Sequence, residues 1–185
     1  MTRWLALLPL VVLALLAVLF AGYGLKHDPK VMPAALVGKP MPALTLAALD
    51  TGAPSPLKGE LKGPTFVNVF ASWCVPCAVE SPALLALEAQ GARIVGIAYK
   101  DDPADSKDFL QRYGDPFEAV LVDRDGRAGV ELGVSGVPET FLVAPDGMVI
   151  AKHSGPLQPA DAEAMLEKAQ AAAGPAATPP SGAKG

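Results

Sequence analysis

Two cysteines are all that this chain of 185 residues contains, and they stand three positions apart, at Cys74 and Cys77. A small secreted scaffold needs several disulfides to staple a thin core, so this is not a staple framework. The chain is long enough for one domain with a core of its own, plus appendages. Histidine is as scarce, with only His27 and His153. Zinc asks for four ligands, and no third cysteine joins the pair, so no metal site is expected. There is no basic run and the formal net charge is −4. That balance argues against a nucleic-acid partner.

Apolar residues are plentiful instead, at 51%, and they crowd the N-terminus. Residues 4–25 carry no charge and are almost wholly apolar. A run of about 20 such residues is long enough to span a bilayer core. It exceeds the usual signal-peptide core, so it reads as an uncleaved single-pass anchor over residues 1–26. Ala21, Gly22 and Gly24 are also compatible with cleavage. Flanking charge does not fix orientation, because long domains translocate largely regardless of it.

Residues 27–38 read as a linker rich in proline and small residues, and 174–185 as a disordered tail. Between them, residues 39–173 are expected to form one domain. Residues 50–64 hold Gly52, Pro54, Pro56, Gly59 and Gly63, which exclude a long helix. Residues 65–71 are β-branched and aromatic, as a buried strand requires. Residues 78–90 favour a helix, closed by Gly91 and kinked at Pro82. A buried strand is predicted over 92–98, a helix over 103–113, a strand over 119–122 and a short helix over 128–132. Strands 140–144 and 148–153 flank Pro145-Asp146-Gly147 as a hairpin, and 159–173 is a closing helix. This order predicts an α/β fold, a mixed central sheet with helices on both faces. Met41, Phe109, Phe117 and Phe141 fit core positions, and Asp101-Asp102 reads as a solvated loop.

Cys74 and Cys77 fall at the junction of strand and helix. There the unpaired N–H groups and the helix dipole favour an anion. Such a site lowers a thiol pKa from about 8.5 toward neutrality. The second cysteine lies one turn on and can attack the first. Cys74 is therefore read as the nucleophile and Cys77 as the resolving thiol. Pro76 suits a first helical turn. No cofactor is called for, since the redox-active disulfide Cys74–Cys77 carries the electrons. A structural disulfide is the bland alternative, but so short a loop constrains little chain entropy.

Trp73-Cys74-Val75-Pro76-Cys77 followed by Pro82 resembles the active-site helix of thioredoxin-like proteins, and Val137-Pro138 resembles their cis-proline loop. Phe70-Ala71-Ser72-Trp73, Tyr99-Lys100-Asp101 and Gly136-Val137-Pro138-Glu139-Thr140 are similar to the CcmG/DsbE thiol:disulfide interchange family. The resemblance covers about residues 36–155 and the N-terminal anchor. It implies a thioredoxin-like fold and a reductant of the bacterial periplasm, anchored in the inner membrane and active in cytochrome c maturation. The partners implied are apocytochrome c or a CcmH-type protein as substrate, and a DsbD- or CcdA-type electron donor. Ala98 and Ser135 depart from the family, which often has asparagine and an aromatic there. A general extracytoplasmic disulfide reductase fits the motifs as well. A thioredoxin-like copper carrier is the alternative from another class, since Cu(I) favours thiolates, but wider cysteine spacing and a placed histidine are usual there.

Glu80 lies three residues after Cys77, on the same helix face. Glu139 follows the expected cis-proline and is placed to approach the dithiol. The resemblance implies that both tune the redox pair; the alternative for each is a solvated surface glutamate. Trp73 is read either as covering the active-site face or as a half-buried packing residue.

Overall fold

The computed structural model describes residues 36–173 continuously, together with Pro9, residues 11–16 and Val18. The strands are β1 (Thr45–Ala48), β2 (Pro54–Pro56), β3 (Thr65–Phe70), β4 (Arg93–Tyr99), β5 (Ala119–Asp123), β6 (Glu139–Val143) and β7 (Val149–Ser154). The helices are α1 (Leu57–Glu60), α2 (Val75–Ala89), α3 (Pro103–Tyr113), α4 (Arg127–Glu131) and α5 (Pro159–Ala173).

The seven strands form one sheet in the order β2-β1-β5-β4-β3-β6-β7. β3, β4 and β5 run parallel, and the remaining neighbours pair antiparallel. Every residue of β3 is buried, as a parallel strand covered on both faces demands. Side chains alternate between those faces. Val67, Val69, Ile97, Phe141 and Val143 meet Leu57 of α1 and Ala128 of α4 on one side. Phe66, Ile94 and Leu142 meet Leu84 and Leu87 of α2 and Met165 of α5 on the other. On that second face Phe70 packs with Phe109 and Leu110 of α3 and with both cysteines. The mixed sheet with helices on both faces is therefore the thioredoxin-like arrangement expected from the sequence.

Gly96 is needed at the centre of β4. A Cβ there would stand 3.0 Å from the Phe70 ring and 3.1 Å from the Phe117 ring, which stack with centroids 5.1 Å apart. A strand interior tolerates glycine where another group approaches this closely.

Two elements depart from the sequence expectation. The turn-rich stretch after residue 50 contains the edge strand β2 and the short α1. Pro54 and Pro56 hide the strand from a propensity argument, yet an edge position accepts them because no partner there needs their missing amide. α2 begins at Val75, three residues before the expected start, because Cys74 caps it and Pro76 tolerates the first turn. Residues 9, 11–16 and 18 are helical and exposed. Among the described residues no helix is long and apolar enough to cross a membrane. The rest of the anchor expected over 1–26, most of the linker over 27–38 and the tail over 174–185 lie outside the described residues.

Candidate active site

β3 delivers the chain to Ala71, and the next three residues turn it into α2. Cys74 adopts an extended backbone, with φ −91° and ψ 103°, as the helix N-cap. Its Sγ accepts a hydrogen bond from the Cys77 backbone N–H at 3.1 Å. A sulfur in this position faces the open end of the helix, where donors and dipole favour negative charge. Cys74 and Cys77 are joined as a disulfide, with Cα atoms 5.3 Å apart. Both are almost fully buried, at 4% and 2% exposure. Trp73, Val75 and Val79, close to them in sequence, are exposed apolar side chains.

Trp73 is fixed by its indole N–H, which donates to the Lys100 carbonyl at 3.3 Å. It is 58% exposed, so it stands at the surface rather than inside. The Val137–Pro138 peptide is cis, as the resemblance implies, and Val137 packs against the cluster that holds Cys74 and Cys77.

Glu80 is not a surface residue: it is 1% exposed. Its Oε1 accepts from Asn68 Nδ2 at 2.9 Å, and its Oε2 accepts from the Leu157 backbone N–H at 2.9 Å. Asn68 also donates to Thr140 Oγ1 at 3.0 Å. Burial pushes the Glu80 carboxyl from 4.5 up to about 7, against the two hydrogen bonds that hold it down. Cys77, Glu80, Ser81 and Asn68 line one small cleft closed by Phe70, Phe109 and Phe117. A group that changes protonation near neutrality thus lies beside Cys77.

Glu139 occupies a different place from the one expected. It is 1% exposed, and it alternates with Thr140, whose hydroxyl meets Asn68 on the α2 side. Strand periodicity therefore turns Glu139 to the opposite face. Its Oε1 accepts from the Ser135 hydroxyl at 2.6 Å and from Ser154 Oγ at 3.2 Å. Its Oε2 pairs with Lys152 Nζ at 2.8 Å.

Asp101 is the main residue that the sequence reading missed. It is buried, at 5% exposure. Its carboxylate accepts from the Ser72 backbone N–H at 2.7 Å, Ser72 Oγ at 2.6 Å and Ser106 Oγ at 2.8 Å. The turn that carries Trp73 and Cys74 is thereby clamped to the end of β4. Only its neighbour Asp102 meets solvent, where it caps α3 through the Ala104 N–H at 3.0 Å. The available signal was Asp102-Pro103, a cap followed by a first-turn proline, which leaves Asp101 free to face inward. Asn68 and Thr140 were missed too; a polar residue within an otherwise apolar strand marks a buried hydrogen-bond network.

A disulfide at a strand-to-helix junction, on this sheet and beside a cis-proline loop, defines a thiol–disulfide oxidoreductase of thioredoxin-like fold. The Redoxin family model matches residues 36–168. The thiol:disulfide interchange protein DsbE of Pseudomonas fluorescens biotype C is 40% identical over 156 residues, covering 84% of this chain and 86% of that protein. DsbE of Escherichia coli K12 is 39% identical over 165 residues, covering 86% and 89%. A crystal structure of a putative DsbE from Chlorobium tepidum superposes with a TM-score of 0.63 at 29% identity, covering 73% of this chain and 96% of that one. The chain belongs to the Redoxin family, within it to the DsbE-type thiol:disulfide interchange proteins.

Proposed function

We propose that the protein is a periplasmic dithiol reductant of cytochrome c maturation. Its substrate is the disulfide of a Cys-x-x-Cys-His segment in apocytochrome c, or that of a CcmH-type partner acting on the same segment. A DsbD- or CcdA-type membrane carrier returns electrons to Cys74 and Cys77. The chain is held in the bacterial inner membrane by one N-terminal span, with the domain in the periplasm. The observation that carries this reading is the Cys74–Cys77 disulfide in one packed cluster with Val137 of the cis-proline loop, in a chain whose Gly136-Val137-Pro138-Glu139-Thr140 segment resembles that of the DsbE family.

In the reduced enzyme the Cys74 thiolate attacks one sulfur of the substrate disulfide. The substrate's other sulfur leaves as a thiolate and takes a proton. Cys77 then loses its proton and attacks Cys74, which closes the intramolecular disulfide and releases the second substrate thiol. Two electrons pass from enzyme to substrate. Glu80 takes the Cys77 proton, a task suited to a group whose pKa lies near the working pH. Trp73 and the loop ending at Pro138 contact the substrate chain, and Pro76 keeps the first turn of α2 short of one amide donor.

The test is covalent capture in cells with Cys77→Ser, which stalls the mixed disulfide. Captured proteins bearing Cys-x-x-Cys-His, or a CcmH-type dithiol protein, support the proposal. A broad set of unrelated secreted proteins would instead assign a general disulfide reductase.

A further inference from the structure

The loop that runs from Gly133 to Pro138 brings Val137 against the cluster that holds Cys74 and Cys77, while Ser135 and Gly136 are exposed. Among the described residues, neither the N–H nor the C=O of Val137 takes part in a backbone hydrogen bond. A free stretch of main chain beside a reactive sulfur is where an extended polypeptide can add itself by backbone pairing. Val134 and Val137 anchor the loop on the core, while its exposed middle, Ser135 and Gly136, takes its shape from polar contacts.

Lys152 supplies that fixation from β7. Its side chain is 8% exposed. The ammonium donates to the Gly133 carbonyl at 3.2 Å and pairs with Glu139 Oε2 at 2.8 Å. It also sits 5.1 Å from the centroid of the Phe141 ring. One cation thus ties the first residue of the loop to the residue just past its last. Glu139 completes the buckle by accepting from the Ser135 N–H at 3.3 Å and from the Ser135 hydroxyl at 2.6 Å. The second of these bonds needs the serine hydroxyl, whereas the first is made by the backbone and needs no particular side chain.

A buried ion pair is a poor way to gain stability, because desolvation offsets most of the attraction. Its best-attested use is to select one arrangement over others. The partners here select a loop geometry next to the reacting atoms.

We propose that Lys152 is a positioning residue for the substrate polypeptide, acting by locking the Gly133–Pro138 loop through Gly133 and Glu139. The inference rests on the dithiol-reductant reading above. It assigns Lys152 to recognition of the chain around the disulfide, not to the sulfur chemistry.

The experiment compares the full-length wild type, K152R, K152M and the double variant K152M/E139Q as reductants of a synthetic peptide holding an oxidised Cys-x-x-Cys-His segment. K152M alone strands a buried carboxylate and is strongly destabilising. The double variant removes both charges and leaves Ser135 an acceptor, so it keeps the test readable. In the folded double variant KM for the peptide rises roughly tenfold while kcat changes less than about twofold, the signature of lost binding alone. The pH profile for alkylation of reduced Cys74 does not move, and K152R recovers most of the wild-type KM. An unchanged KM in the folded double variant would overturn the inference while leaving the enzyme reading intact. A wild type that reduces neither the peptide nor a small aromatic disulfide would take down both.

Discussion

Asn68 in the middle of β3 donates its side-chain amide to Glu80 in the second turn of α2 at 2.9 Å, joining the sheet to the active-site helix through a buried carboxylate. The same carboxylate holds the Leu157 N–H ahead of α5. Three elements therefore meet on one titratable group, and its ionisation is felt by fold and chemistry together.

Stability should fall as pH rises through this group's range. A carboxyl whose pKa is raised on folding binds its proton more tightly in the native state. Its contribution is fully present below the ordinary value of 4.5 and is lost by about pH 7. A shift of this size corresponds to about 3 kcal/mol. Denaturant unfolding at pH 5 and pH 8 measures it. Glu80→Gln cannot ionise, so its two unfolding curves should lie closer together than those of the wild type. Equal pH dependence in the two proteins would remove Glu80 from the explanation.

Exchange should slow when that proton site is lost. Glu80→Gln is expected to reduce the rate of disulfide closure on the order of 10²-fold, the low end of general acid–base contributions. Stopped-flow oxidation of the reduced enzyme reads this directly. A rate within about twofold of wild type would assign the proton to another acceptor.

The two cysteines should behave differently toward an alkylating agent. Reduced protein exposed briefly to iodoacetamide is labelled at Cys74, with Cys77 protected inside α2. Cys74→Ser should abolish labelling and all turnover, whereas Cys77→Ser retains labelling and accumulates mixed disulfides. Preferential modification of Cys77 would reverse the assigned roles.

Asp101 offers a test of the clamp on the active-site turn. Asp101→Asn places an amide donor among the Ser72 and Ser106 donors that the carboxylate now accepts. Losing those charge-assisted bonds should cost about 1–3 kcal/mol. Trp73 rides on the same turn, so its emission, read in a Trp4→Phe background, should shift toward that of a fully solvated indole. Unaltered melting and emission would mean that the turn keeps its shape without the clamp.

Gly96→Ala probes the sheet beneath the site. The added methyl would meet the Phe70 and Phe117 rings at 3.0 and 3.1 Å. Overpacking of that kind costs about 1–3 kcal/mol. Thermal unfolding should drop by about 2–4 °C for each kcal/mol in a chain of this size. An unchanged midpoint would show that the rings move aside freely.

Much of this was open to reading in the sequence because local signals agree with the global fold. Residues 65–70 could hardly be anything other than a buried strand, and the cysteines follow at its end. The bounds of α3 and α5 follow from Pro103 and Pro159, each at a first helical position. β2 was hidden because two of its three residues are prolines, and only the edge position makes that acceptable. The inward turn of Asp101 and the Lys152–Glu139 pair were hidden for another reason. Which way a polar side chain faces depends on partners distant in sequence, Ser72 for one and Gly133 for the other. Glu139 illustrates the limit: its neighbour in sequence is the cis-proline, but strand alternation sends its carboxylate to the far side of the sheet.

Pro54 and Pro56 have a consequence beyond the shape of one short strand. The outer margin of the sheet at β2 lacks two amide hydrogens, so no second molecule can dock along it as an added ribbon. At the other margin, the incoming segment occupies Val149 through Gly38 N–H and the Lys39 carbonyl. Edge-to-edge pairing is thereby disfavoured along β2, while on β7 the cover reaches Val149 alone among Val149–Ser154.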